Sequence, residues 1–203
     1  MDNQPIQAFN AFSVPIYRFH YDNEEMAQAC VDMVHQYEKD DPEPCYYPFG
    51  YTTFSKKHLE NGNVILDERL KPLADFFWGA TQYLHEQNKL TGNLFYASSW
   101  LTIGRKYSYH ERHHHNPHTW SGVYYARAVE GDAGIHFYNP VMSVTAWPHT
   151  DATEFTEYNS LLSQNEVETG NVIIFPSYLE HKVDQQLEDR ERITLAFNFN
   201  VEQ

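Results

Sequence analysis

Apolar residues along this chain follow two different rhythms. In the first half the rhythm is helical. Met26, Cys30, Met33, Val34 and Tyr37 are spaced by 4, 3, 1 and 3 positions, which is one face of a helix. Asp22 or Asn23 can cap its start, Glu24 and Glu25 suit the positive end of the helix dipole, and Asp40, Asp41 and Pro42 end it. A second helix is predicted over residues 67–87, with Leu70, Leu73, Phe77, Ala80 and Leu84 on one side. Pro72 must then sit in its first turn, or the helix starts later. Residues 14–21 have the composition of a strand, and Asn61-Gly62-Asn63 marks a turn. Both apolar stripes predict helices that cover a sheet.

From Leu94 onward the texture is that of strands. SSWLTIG, SGVYYARAV, GIHFYNP, NVIIFPSYL and RITLAFNFNV are short, rich in β-branched and aromatic residues, and bounded by Gly, Pro or Asn. The last alternates cleanly. Ile193, Leu195, Phe197 and Phe199 fall on one face, and Arg192, Thr194, Ala196, Asn198 and Asn200 on the other. Several strands without regularly interspersed helices predict a mainly β fold with flanking helices, of the sandwich, jelly-roll or barrel kind. Residues 141–167 lack this periodicity and read as an insertion at the rim, where substrate loops sit.

Composition narrows the function. The 203 residues suit a single domain and need no disulfides to fold. With 14 basic and 28 acidic side chains, the net charge of −14 argues against a non-specific nucleic-acid binder or an anionic membrane surface. The 41% hydrophobic and 21% charged content argues against disorder. The 4 Trp, 15 Tyr and 13 Phe suit a β-rich domain or an aromatic-lined pocket. Two cysteines, Cys30 and Cys45, make neither a disulfide framework nor a thiolate zinc site, so a reducing, cytoplasmic setting is expected. The N-terminus has no basic start followed by an apolar run, and no stretch approaches the ~18 apolar residues of a membrane span.

Candidate chemistry concentrates in the histidines. Five of the 12 fall within residues 110–118, where even scatter would place about half of one. A solvated loop would be the plain explanation, but imidazole is also the commonest metal ligand. His110-Glu111-Arg112-His113-His114 has the formal H-E-x-x-H pattern, but it lacks the helical stripe a zincin needs. His149-Thr150-Asp151 has the H-x-D form of an iron site, yet only 30 positions separate it from the last histidine, so it reads as a decoy. His113-x-His115 fits better. On an extended strand, alternate side chains point the same way, roughly 6.5–7 Å apart. His181 follows 66 residues later, after a buried-looking strand. Eleven residues beyond it, Arg192 and Thr194 open the last strand on one face, where they can hold a carboxylate.

Together these residues resemble a family of iron(II)- and 2-oxoglutarate-dependent oxygenases known mainly from bacterial and phage genomes. The matching stretches are SSWLTIGRKYSYHERHHHNPHTWSGVYYARA, GIHFYNP, ETGNVIIFPSYLEHKV and ERITLAFNFN. The resemblance implies a double-stranded β-helix (jelly roll) over residues 96–203, preceded by a supporting strand and helices over residues 1–95. It implies Fe(II) held by His113, His115 and His181, with His114 or His118 as substitutes if the strand register differs. It implies 2-oxoglutarate as cosubstrate, its far carboxylate on Arg192 with Thr194 beside it, and Tyr125 or Tyr107 lining the pocket. The activity implied is oxidation of a substrate C–H, coupled to decarboxylation of 2-oxoglutarate to succinate. A small molecule or peptide suits the acidic chain better than nucleic acid. Two rivals remain. Gly170-x5-Pro176-x4-His181 has cupin-like spacing, but a glutamate soon after His115 is missing. A non-catalytic β-sandwich would need neither the histidines nor Arg192.

Overall fold

Two antiparallel sheets face each other, and both helices pack on the outer face of the larger one. The structure is a computed structural model that describes residues 13–42, 47–54, 63–141, 153–154, 160, 162–165 and 167–202. In chain order the elements are β1 (Tyr17–His20), α1 (Glu24–Asp40), β2 (Gly50–Thr52), α2 (Lys71–Gln87), β3 (Asn93–Gly104), β4 (His110–His113), β5 (Trp120–Arg127), β6 (Ile135–Tyr138), β7 (Leu162–Gln164), β8 (Asn171–Pro176), β9 (His181–Val183) and β10 (Arg192–Glu202). The larger sheet has the order β1-β8-β5-β10-β3-β2, and the smaller has β4-β9-β6-β7. This pair of facing sheets is the double-stranded β-helix, or jelly roll.

Local chemistry explains the helix boundaries. Asn23, one of the two expected candidates, accepts from the Met26 N–H at 3.1 Å and so caps α1. The second helix begins at Lys71, later than residue 67. Pro72 lies in the first turn, where its missing N–H costs nothing. Asp67 instead caps a short 3-10 turn, Glu68–Leu70, by accepting from the Arg69 N–H. Asn61 and Gly62 of the expected turn lie outside the described residues, as do Cys45, His149 and Asp151. Within the expected rim insertion, the described Leu162–Gln164 form β7 and pair with β6.

The strand β10 shows how one alternation supports two interiors. Ile193, Leu195, Phe197 and Phe199 are fully buried against α1 and α2, with Phe77 stacked on Phe197 at 4.3 Å. The opposite face is not solvated, as polarity alone would suggest. Arg192, Thr194 and Asn198 are each under 9% exposed because this face lines the space between the sheets. Cross-strand pairing places Gly104, Thr102 and Trp100 of β3 beside Arg192, Thr194 and Ala196, and Tyr125 of β5 beside Thr194. The rest of that space is apolar: Phe137 of β6 meets Phe175 of β8 at 4.7 Å, within a cluster that includes Tyr125, Ile135 and Ile173. Among the described residues, no helix is long and apolar enough to cross a membrane.

Candidate metal centre

His113 ends β4 and His181 opens β9, and the two are direct partners in the ladder. Their rings are 4.3 Å apart. His115 stands 5.1 Å from the first and 5.0 Å from the second. One nitrogen from each lies within 4.8 Å of the others, close enough to share one cation, and the group contains no carboxylate. One expectation needs correction. His113 and His115 do not lie on one strand, because β4 stops at His113 and a turn follows, in which the His118 N–H bonds the His115 carbonyl at 2.9 Å. The residues converge all the same, because the His115 N–H bonds the Ser177 carbonyl at 2.9 Å in the turn between β8 and β9.

The polar surroundings fix which nitrogens are free. His113 Nδ1 lies 2.6 Å from the Glu111 carbonyl, and His181 Nδ1 lies 2.9 Å from the Leu179 carbonyl. A carbonyl only accepts, so both Nδ1 atoms carry the proton and both Nε2 atoms keep a lone pair. Burial and the neighbouring imidazoles hold His115 down to about 2 and His181 to about 4, and burial lowers His113 as well. Three neutral imidazoles are a donor set that suits Fe(II), Ni(II) and similar divalent ions. Phe175 and Phe137 pack round His181, and Trp100 stands 5.7 Å from His115 with the half-exposed Phe54 against it.

Arg192 lies at the far end of the interior face. It is 3% exposed, yet among the described residues its Nη2 donates to the Tyr47 hydroxyl at 3.2 Å and its Nε has no partner. Ser108 Oγ is also buried without a partner. A side chain at Gly104 would come within 3.1 Å of the Arg192 guanidinium, Ser108 Oγ and the Tyr47 hydroxyl, so the bare glycine is what admits this cluster. A buried guanidinium with spare donors is costly unless an anion meets it. Tyr125 is fully buried nearby, its phenol pushed up by burial and opposed by Arg192. Tyr107, the alternative, is 47% exposed.

His110, set aside with the H-E-x-x-H string, and Tyr47 and Ser108 lie alongside these groups. His110 touches both Tyr47 and His113, at 4.4 and 5.7 Å, and burial first, then neighbouring charges including Arg192, hold it down to about 3. The H-E-x-x-H string to which His110 belongs is a strand, so it cannot present two histidines one helical turn apart. Its last histidine, His114, is exposed and outside the trio. His118 bonds Asn200 instead, at 3.1 Å. Tyr47 and Ser108 had no sequence signal, being single polar residues in loops.

Residues 98–198 match the family model described as "Putative 2OG-Fe(II) oxygenase". No curated protein matches the chain at a significant level. Among solved structures, a prolyl-4-hydroxylase from Pseudomonas putida is similar, with a TM-score of 0.61, 12% identity, and coverage of 94% of this chain and 95% of that one. HygX from Streptomyces hygroscopicus, with nickel and 2-oxoglutarate bound, gives a TM-score of 0.59 at 10% identity over 93% of this chain and 83% of that one. The viral collagen prolyl hydroxylase from Paramecium bursaria Chlorella virus-1 gives 0.57 at 8% over 93% and 96%. At these identities the likeness is one of fold.

Proposed function

Since the chain belongs to the iron(II)- and 2-oxoglutarate-dependent oxygenases, we propose that His113, His115 and His181 hold its iron and that Arg192 and Thr194 hold its cosubstrate. Bound iron and 2-oxoglutarate supply the oxidising chemistry, in which the 2-oxo acid is decarboxylated to succinate and one atom of O₂ goes to a substrate C–H. The protein's own residues bind and orient. The two ladder-paired histidines present Nε2 lone pairs, His115 completes the face, and three neutral donors leave the rest of the cation's coordination sphere open. The observation that carries the reading is Arg192 Nε, buried on the same interior face and without a partner among the described residues, with Ser108 Oγ near the same guanidinium. A carboxylate there would satisfy both, with Thr194 and Tyr125 on its flank. Phe137 and Phe175 keep bulk water from the ligands.

The substrate is read as a small molecule or peptide, in keeping with the net charge of −14. A reducing, cytoplasmic setting is proposed from the low cysteine content, two in 203 residues. The helices and the β-helix are read as one domain, joined by the shared core on the outer face of the larger sheet.

Anaerobic titration with Fe(II) and 2-oxoglutarate tests the reading through the visible absorption band of a 2-oxo acid chelated to iron. Breaking a buried charged pair costs about 3–5 kcal/mol, so Arg192→Leu should weaken 2-oxoglutarate binding by roughly a hundredfold or more. Iron content should stay at the wild-type level, because a guanidinium does not ligate a cation. Unchanged cosubstrate affinity in a folded Arg192→Leu protein would remove Arg192 from the site.

A further inference from the structure

Ser121 of the S-G-V-Y-Y motif, Ser177 of F-P-S and Asn198 of the final strand touch no candidate ligand atom, yet they meet in one buried cluster. Ser177 Oγ and Ser121 Oγ are 2.7 Å apart, Ser121 Oγ lies 2.7 Å from Asn198 Oδ1, and Asn198 Nδ2 donates to Ser98 Oγ at 2.9 Å. The three are 0%, 1% and 2% exposed. The amide oxygen can only accept, so Ser121 gives its proton to Asn198 and must accept from Ser177. The chain of donors therefore has one direction, from Ser177 to Ser121 to Asn198 to Ser98. It ties β3, β5 and β10 to the turn after β8.

That turn also holds the histidine segment. The His115 N–H donates to the Ser177 carbonyl at 2.9 Å, and the Ser177 N–H donates to the Thr119 carbonyl at 3.1 Å. The Thr119 N–H in turn donates to the Phe199 carbonyl at 2.9 Å. His113 and His181 are placed by a ladder, but His115 has left the strand and has no ladder to place it. The main chain of Ser177 bridges both ends of the 115–119 turn, while its side chain is locked to the larger sheet.

We infer that Ser121, Ser177 and Asn198 are positioning residues for the metal centre, setting His115 against the ladder-paired His113 and His181 through the bridging backbone of Ser177. The inference rests on His115 being the third metal ligand. Apolar residues of similar size would fill the same space, so a purely structural role would not require this directed chain.

The test uses the full chain with Co(II) as the probe, reading affinity by titration and ligand geometry by the visible d–d spectrum. Ser177→Ala and Ser121→Ala each remove one oxygen and leave the backbone bonds possible. Each is expected to weaken Co(II) binding about tenfold, as for one lost buried hydrogen bond, and to change the intensity of the d–d bands. Ser177→Thr, which keeps the hydroxyl, should restore both. Leu84→Ala, in the helix-side core, should lower thermal stability without moving either readout. His115→Ala separates the two failures. Wild-type cobalt binding and spectrum in both serine variants, with cobalt lost in His115→Ala, would overturn the positioning role and leave the ligand assignment standing. Wild-type binding in His115→Ala itself would overturn both.

Discussion

An imidazole that is to hold a cation must keep a lone pair at working pH, and in this site burial does so. The unfolded chain's histidines titrate near 6.5. Folding holds His181 down to about 4, His110 to about 3 and His115 to about 2. Between those values and 6.5 the unfolded chain binds more protons, so stability is fully present above pH 6.5 and is lost as pH falls through the window. Metal-free protein should therefore lose stability steadily in urea melts from pH 6.5 down to about 4, and a flat profile would contradict the burial. Single-site metal analysis addresses the ligands. His113→Ala and His181→Ala should lose stoichiometric iron, whereas His115→Asp should keep it, because a carboxylate can occupy the third position of a facial site. Iron lost in His115→Asp but kept in His115→Ala would show that position 115 lies outside the coordination sphere. The three histidines were legible in the sequence because ligand types and long spacings survive without any knowledge of the fold. The cradle of Arg192 was not. Tyr47, Ser108 and Gly104 meet only through tertiary contacts, and nothing in their own neighbourhoods distinguishes them.

At the scale of elements, legibility followed length. The strands β3, β5, β8 and β10 have six to twelve residues and stand out by their β-branched and aromatic content, as does the shorter β6, while β4, β7 and β9 have three or four residues and show no period. The turn that removes His115 from β4 was hidden for the same reason. The helices were visible from their stripes, and Pro72 marked where α2 had to begin. Gly122 shows an element-scale constraint that only the fold explains. It is the register partner of Phe197, and a Cβ there would come within 2.3 Å of that ring. Gly122→Ala should therefore push Phe197 against Phe77 and lower stability by about 1–3 kcal/mol, read as a shift in the urea midpoint. A charged cluster fastens α1 to the entry of β10. Arg105 binds both carboxylate oxygens of Glu38, at 2.6 and 2.7 Å, and reaches Glu191 at 3.0 Å. Glu191 also meets His35 at 2.8 Å and immediately precedes Arg192. The helix thus holds the backbone from which the buried guanidinium projects.

Across the whole molecule, the larger sheet separates two interiors. Its outer face joins the helices in an apolar core, and its inner face carries Arg192, Thr194, Ala196 and Asn198 in a row. The central strand of that row is hydrogen-bonded on both sides, to β3 and to β5, so it is held against sliding as well as bending. Successive residues on such a strand advance about 3.3 Å each. Arg192 and Asn198, beside which the histidine turn is fastened, are six such steps apart, so the two ends of the row keep a spacing of about 20 Å along the backbone. If Arg192 holds the cosubstrate's far carboxylate as proposed, this strand and the β4–β9 ladder that places His113 and His181 would together act as a gauge for dicarboxylate length. A 2-oxo diacid with one methylene more or fewer than 2-oxoglutarate would then satisfy the metal or the guanidinium, but not both at once. Anaerobic calorimetry on the metal-loaded protein should find the five-carbon acid bound roughly tenfold or more tightly than either neighbour, since one charge-assisted contact is forfeited. Selection of the cosubstrate by length would then be a property of the backbone, and substitutions at the pocket's side walls should change affinity without changing which acid is preferred.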